Sequence, residues 1–130
     1  MSGDLQLEAI DTPGLTCAPR FDDSKLTVVF TGTGDVAAIE VLGDYLKRLH
    51  GEAERLLVTE VTCDFRQLSF MNSSCFKAFV VWIDSVQSEA PERQYKITFL
   101  SNPEFHWQRR SLHALACFAA DLIALETVAP

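Results

Sequence analysis

Three apolar runs rich in β-branched and aromatic residues, KLTVVFT (25–31), LLVTEVTC (56–63) and YKITFL (95–100), alternate with stretches whose apolar residues recur at helical spacing. Continuous apolar runs of this length suit buried strands, and such strands need crossover helices to cover them. The alternation therefore points to an α/β architecture. Between the first two runs, Ile39, Leu42, Tyr45, Leu46 and Leu49 share one helical face, while Glu40, Asp44, Lys47 and Arg48 lie outside it. Asp35 is placed to cap this helix and Gly51 to close it. Asn72, Ser73 and Ser74 then mark the start of a second helix, whose buried side is Phe76, Phe79, Val80, Ile83 and Val86 and which runs to about Ser88. Asn102 and Pro103 open a third helix, roughly 106–119, and residues 122–125 read as a short closing strand. The segment 1–24, with Pro13, Gly14, Pro19, Asp22 and Asp23, reads as a strand and loop, with 5–10 as an edge strand. The expectation is one domain over 1–130, with a four- or five-stranded mixed sheet and helices mainly on one face.

Charge and composition narrow the partners. Eighteen acidic against eleven basic residues give a net charge of -7, which repels nucleic-acid backbones and anionic lipid. No apolar run is long enough to cross a bilayer, and residues 1–11 lack the basic and apolar regions of a signal peptide, so a cytoplasmic protein is expected. Cys17, Cys63, Cys75 and Cys117 show no C-x-x-C spacing and sit in or beside apolar runs, which reads as four reduced core thiols. His106 and His113 are two turns apart on one helix, and His50 falls near a helix end. Such spacing offers no adjacent-turn zinc pair, so no metal and no cofactor are expected.

The most specific feature is the order strand, T-G-x-x-D turn (Thr31, Gly32, Asp35), helix, strand, and then DFRQLSFMNSSC (64–75) leading into an apolar helix. This order resembles the STAS domains of bacterial anti-sigma factor antagonists, from about Lys25 to Glu126. In that family an aspartate, a serine or threonine, a second hydroxyl residue and a glycine stand between the strand and the helix; here the positions hold Asn72, Ser73, Ser74 and Cys75. A related group of STAS-like bacterial phospho-regulators carries asparagine before the phosphorylated hydroxyl. The resemblance implies that Ser73, with Ser74 secondary, is phosphorylated. It also implies a partner that is a serine/threonine-type protein kinase or an anti-sigma factor, a phosphatase that resets the switch, and no catalysis by the chain itself. A phosphate at a helix start is favoured by the free backbone N–H groups and the helix dipole, so the modified domain should stay folded. Val81 and Trp82 fall beyond the expected buried stripe, toward Lys77 and Asp84; they either pack under the 64–68 loop or the N-terminal segment, or are exposed, and an exposed aromatic beside the switch would suit a docking face. The expected partner-binding set is Asn72, Ser73, Ser74, Cys75, Lys77, Val81 and Trp82.

Two other readings compete with a binding module. Residues 32–37 match G-x-G-x-x-A after a strand, with Glu60 or Asp64 as a possible ribose ligand, which would make the Gly32–Gly34 turn a nucleotide site. Against it, Asp35 would place a carboxylate beside the pyrophosphate, and the chain lacks the second half of a dinucleotide fold. Gly34 is the position in that turn expected to need a positive φ. The third reading is a scaffold subunit whose Ser73 is never modified. No G-x-S-x-G elbow or P-loop is present, and Arg109 and Arg110 read as a solvated helix face.

Overall fold

The computed structural model describes residues 5–128; residues 1–4 and 129–130 of the expected domain lie outside the described residues. The chain forms β1 (Ile10–Thr12), β2 (Leu15–Asp22), β3 (Lys25–Gly34), α1 (Ile39–Arg55), β4 (Glu60–Met71), α2 (Ser73–Gln87), β5 (Lys96–Ser101), α3 (His106–Phe118) and β6 (Ile123–Thr127), with single 3-10 turns at Val36–Ala38 and Pro91–Arg93. All strands belong to one six-stranded sheet in the order β1-β2-β3-β4-β5-β6. The β1–β2 and β2–β3 pairs are antiparallel, and β3 to β6 run parallel. Successive crossovers in one direction and of one hand place all three helices on the same face. Among the described residues, no helix is long and apolar enough to cross a membrane.

The three expected central strands are neighbours, but the middle one is Glu60–Met71 and not 56–63, because Leu56 and Leu57 make the turn that ends α1. The sheet has six strands and not four or five. The added strands come from the N-terminal segment. Gly14, at φ +94, and Asp23 and Ser24, also at positive φ, make the two tight turns that the Pro, Gly and Asp signals announced. Pro19 is tolerated inside β2 because β1 pairs only with 15–17, which leaves the missing N–H at an open edge. Residues 5–9 are not the expected edge strand. They cross toward α1 instead: Leu7 is buried, and the Gln6 backbone N–H donates to Glu52 Oε1 at 2.7 Å.

Helix α1 does not stop at Gly51. It continues one more turn because Ala53 is buried and Arg55 pairs with Glu52, and it ends where Leu57 takes φ +55. The core on the helical face is a cluster of aromatic rings, with Phe30, Phe65, Phe79 and Phe99 at centroid separations of 5.2–6.2 Å, mostly edge to face. Cys17, Cys63 and Cys75 are buried, as read, whereas Cys117 faces outward on α3. Burial pushes the Cys17 thiol up to about 12 and Cys63 well above its ordinary value, so both act as apolar filling.

Candidate functional site

The start of α2 is held by the ends of β3 and β4. Strand β4 runs to Met71, opposite Gly34, and the Asn72 N–H continues the ladder by donating to the Gly34 carbonyl at 2.6 Å. Asn72 has extended backbone geometry and is the N-cap; its Oδ1 accepts from the Ser74 N–H at 2.8 Å. Capping is therefore done by Asn72, and Ser73 is the first helical residue. Ser73 is exposed, and its hydroxyl has no hydrogen-bond partner among the described residues. Ser74 is half-buried. Cys75 is fully buried, and its thiol donates to the Asp35 carbonyl at 3.3 Å. Burial, and then the Asp35 charge, raise that thiol above its ordinary value. Cys75 thus locks the helix start onto the β3–α1 connection.

From the other side α3 fixes the irregular crest of β4. The register of β4 against β3 shifts near Phe65–Arg66 and again near Ser69, leaving carbonyls without ladder partners. Gln108, completely buried, donates to the Phe65 and Leu68 carbonyls at 2.6 and 2.9 Å and accepts the Asn102 N–H at 2.8 Å. The Asn102 side chain donates to the Arg66 carbonyl, and Trp107 Nε1 to the Ser69 carbonyl. Sequence reasoning missed this brace. Its signal was a glutamine in the stripe 108, 112, 115, where a polar side chain on an apolar face needs buried partners.

The expected partner-binding residues fall on two sides of α2. Asn72 and Ser73 border a hollow of about 550 Å³ between α2 and α3, lined also by Phe70, Met71, Phe76 and Arg110. Ser74, Lys77, Val81 and Trp82 border a groove between α2 and α1. Ser73, Lys77 and Val81 lie one turn apart on the outward stripe, and Val81 is 59% exposed.

Trp82 does not supply the exposed aromatic that was expected. It is 3% exposed, and its Nε1 donates to the Tyr95 hydroxyl at 2.9 Å. The buried stripe is Cys75, Phe79, Trp82, Ile83 and Val86, rotated from the expected one because α2 packs between α1 and α3. The exposed aromatic near Ser73 is instead Phe70, half exposed, which the second register shift turns outward.

The Gly32–Gly34 segment is not a phosphate-cradling turn. Both glycines are within β3, opposite Leu68 and Met71. Gly32, not Gly34, has a positive φ, at +104. Asp35 caps the following 3-10 turn by accepting from the Ala37 N–H, and the space beyond Gly34 is filled by Met71 and Cys75. The two candidate ribose ligands are engaged elsewhere: Glu60 accepts from Thr98, and Asp64 is held in a two-pronged pair by Arg66. Burial alone would raise the Asp64 carboxyl, but the Arg66 bonds hold it below its ordinary value.

His50, Glu54 and Glu89 bring ligand-type atoms within 4.8 Å of one another. Each is already engaged, His50 with Tyr95 at 2.6 Å and Glu89 at 3.1 Å, and Glu54 with Arg93 at 3.1 Å, which makes the group a clasp between α1 and the exit of α2. His106 and His113 are exposed.

Neither a protein-family model nor a curated protein sequence matches the chain. Among solved structures it is similar to the crystal structure of an anti-sigma factor antagonist from Mycobacterium paratuberculosis, with a TM-score of 0.65 over 90% of each chain at 13% identity. At that identity the likeness is one of fold, and the chain has the STAS fold that its motif order suggested.

Proposed function

We propose that residues 1–130 work as one STAS-type regulatory module that acts by binding a protein, with no cofactor and no catalysis of its own. Its partner is a serine/threonine-type protein kinase or an anti-sigma factor in the cytoplasm, docked over the start of α2. Phosphorylation of Ser73 releases that partner, and a phosphatase resets the switch. The observation that carries the reading is the free Ser73 hydroxyl. Because Asn72 does the capping, Ser73 is exposed at the first turn with no structural task, next to a hollow that exposes Phe70. A helix start accepts the added phosphate, so the fold survives, while about -1.5 to -2 charges appear where an apolar surface must be desolvated. Lys77 and Val81 extend the contact along the outward stripe. Cys75 and Trp82, being buried, shape the surface from below.

The test is affinity for a candidate serine/threonine-type kinase or anti-sigma factor of the same organism, measured for wild type, Ser73→Ala and Ser73→Asp, with phosphopeptide mapping after kinase treatment. Ser73→Ala should bind as wild type. Ser73→Asp should bind at least about tenfold more weakly, yet melt near the wild-type temperature, because a carboxylate in the first turn is worth only about 0.3–1 kcal/mol. Tight binding by Ser73→Asp, together with no phosphate at Ser73 or Ser74, would leave a scaffold whose Ser73 is never modified.

A further inference from the structure

The groove between α1 and α2 has a volume of about 570 Å³, within the range of small-molecule sites. Its walls are apolar, with Ile39, Leu46, Ala78 and Val81 prominent, and it follows residues 39–50 of one helix and 74–85 of the other, a length of about 16 Å. Two further features indicate what fills it. A Cβ added at Gly43, inside α1 and on the groove wall, would meet nothing within 4 Å. Glycine at this position leaves the groove wall without a side chain, which widens the space beside Ala78 and Val81. The second feature is charge. Lys47 and Lys77 border the groove from opposite helices and make no hydrogen bond or ion pair among the described residues, and no carboxylate lines it, in a protein of net charge -7. Glu54 and Glu89 stand behind His50 at one end and hold its Nε2, so an anionic group is accommodated along the lysine-bearing stretch.

We infer that this groove is a binding site for a small amphiphile with an extended apolar body and an anionic head. The apolar body lies along Gly43 and Ala78 between Leu46 and Val81, and Lys47 and Lys77 pair with the head. The site shares Lys77 and Val81 with the surface proposed for the protein partner, but its test needs neither that partner nor a phosphate at Ser73.

The probe is decanoate below its micellar concentration, with decanol and decyltrimethylammonium as neutral and cationic molecules of the same chain length. Binding is followed by calorimetry and by the fluorescence of Trp82, which lines the groove. Decanoate should bind one to one, decanol about tenfold more weakly, and the cation not measurably, with affinity falling as salt rises. Gly43→Leu and Ala78→Leu should each weaken decanoate about tenfold or more, since they occupy the space of the apolar body. Gly51→Ala is the control: its Cβ is equally unopposed on the same helix, but Gly51 does not line the groove, so binding should be unchanged. Melting curves confirm that each variant is folded, and the head-group comparison on wild type stands without any of them. Equal binding of the three head groups, or no saturable decanoate binding, overturns the inference. So does a Gly43→Leu variant that loses a protein partner while wild type ignores decanoate, since the groove would then be a protein-docking surface.

Discussion

Replacing Gly32 with alanine should be among the costliest single substitutions in the sheet, whereas the same change at Gly34 should be mild. At Gly32 the backbone is at φ +104, and an added Cβ would overlap the Gly14 carbonyl oxygen and lie 3.1 Å from its carbon. The left-handed conformation costs an L-residue about 1–2 kcal/mol. Relieving the overlap must move the β1–β2 turn, which gives up the 2.6 Å bond from the Thr33 N–H to the Gly14 carbonyl, worth about 1 kcal/mol more. The total is roughly 3 kcal/mol, or a fall of about 10 °C in Tm for a chain of this length. At Gly34 the φ is not positive, and the new Cβ would meet Met71 Cγ at 3.4 Å and Cys75 Sγ at 3.7 Å, ordinary contacts with side chains that can adjust. The entropy gained by replacing glycine offsets that adjustment, so the net change should stay within about 1 kcal/mol. Urea titrations and thermal melts of the two variants measure both values. A larger loss at Gly34 than at Gly32 would refute the reasoning, because it would mean that the chain turns at Gly34 instead of continuing as strand through it.

Gln108→Leu should destabilise by roughly 3–5 kcal/mol in urea titration, since it strands the Phe65 and Leu68 carbonyls and the Asn102 N–H in the core. A loss under about 1 kcal/mol would mean that the crest of β4 does not depend on this side chain. Tyr45→Phe should raise stability by about 1 kcal/mol in the same assay, because the Tyr45 hydroxyl is buried with no hydrogen-bond partner among the described residues. A clear loss on removing that oxygen would contradict its being unpaired.

The sequence by itself determined the α/β class, the three central strands, the three helices and the Asn72-Ser73 helix start. Each rests on a short-range cause: period-2 or continuous apolar runs for strands, helical spacing for helices, and a side-chain cap. It also held enough order of motifs to suggest the STAS fold across a chain that shares 13% identity with the solved structure it resembles. Tertiary structure decided the rest, because the deciding partners are far apart in sequence. Gly32 is constrained by Gly14, 18 positions away, and no local pattern separates it from Gly34. The burial of Trp82 depends on Tyr95 and on α2 lying between two other helices, so helical spacing alone found Phe79, Ile83 and Val86 but chose Phe76 and Val80 where Cys75 and Trp82 are buried. Phe70 faces outward because of a register shift between two parallel strands, and parity counted along β4 alone would turn it inward with Leu68. Gln108 braces β4 from 40 and 43 positions away. The two depressions flanking Ser73 and Ser74 exist only once α1 and α3 pack on either side of α2: local sequence makes a helix start, but the surface around it is made by what the sheet brings alongside.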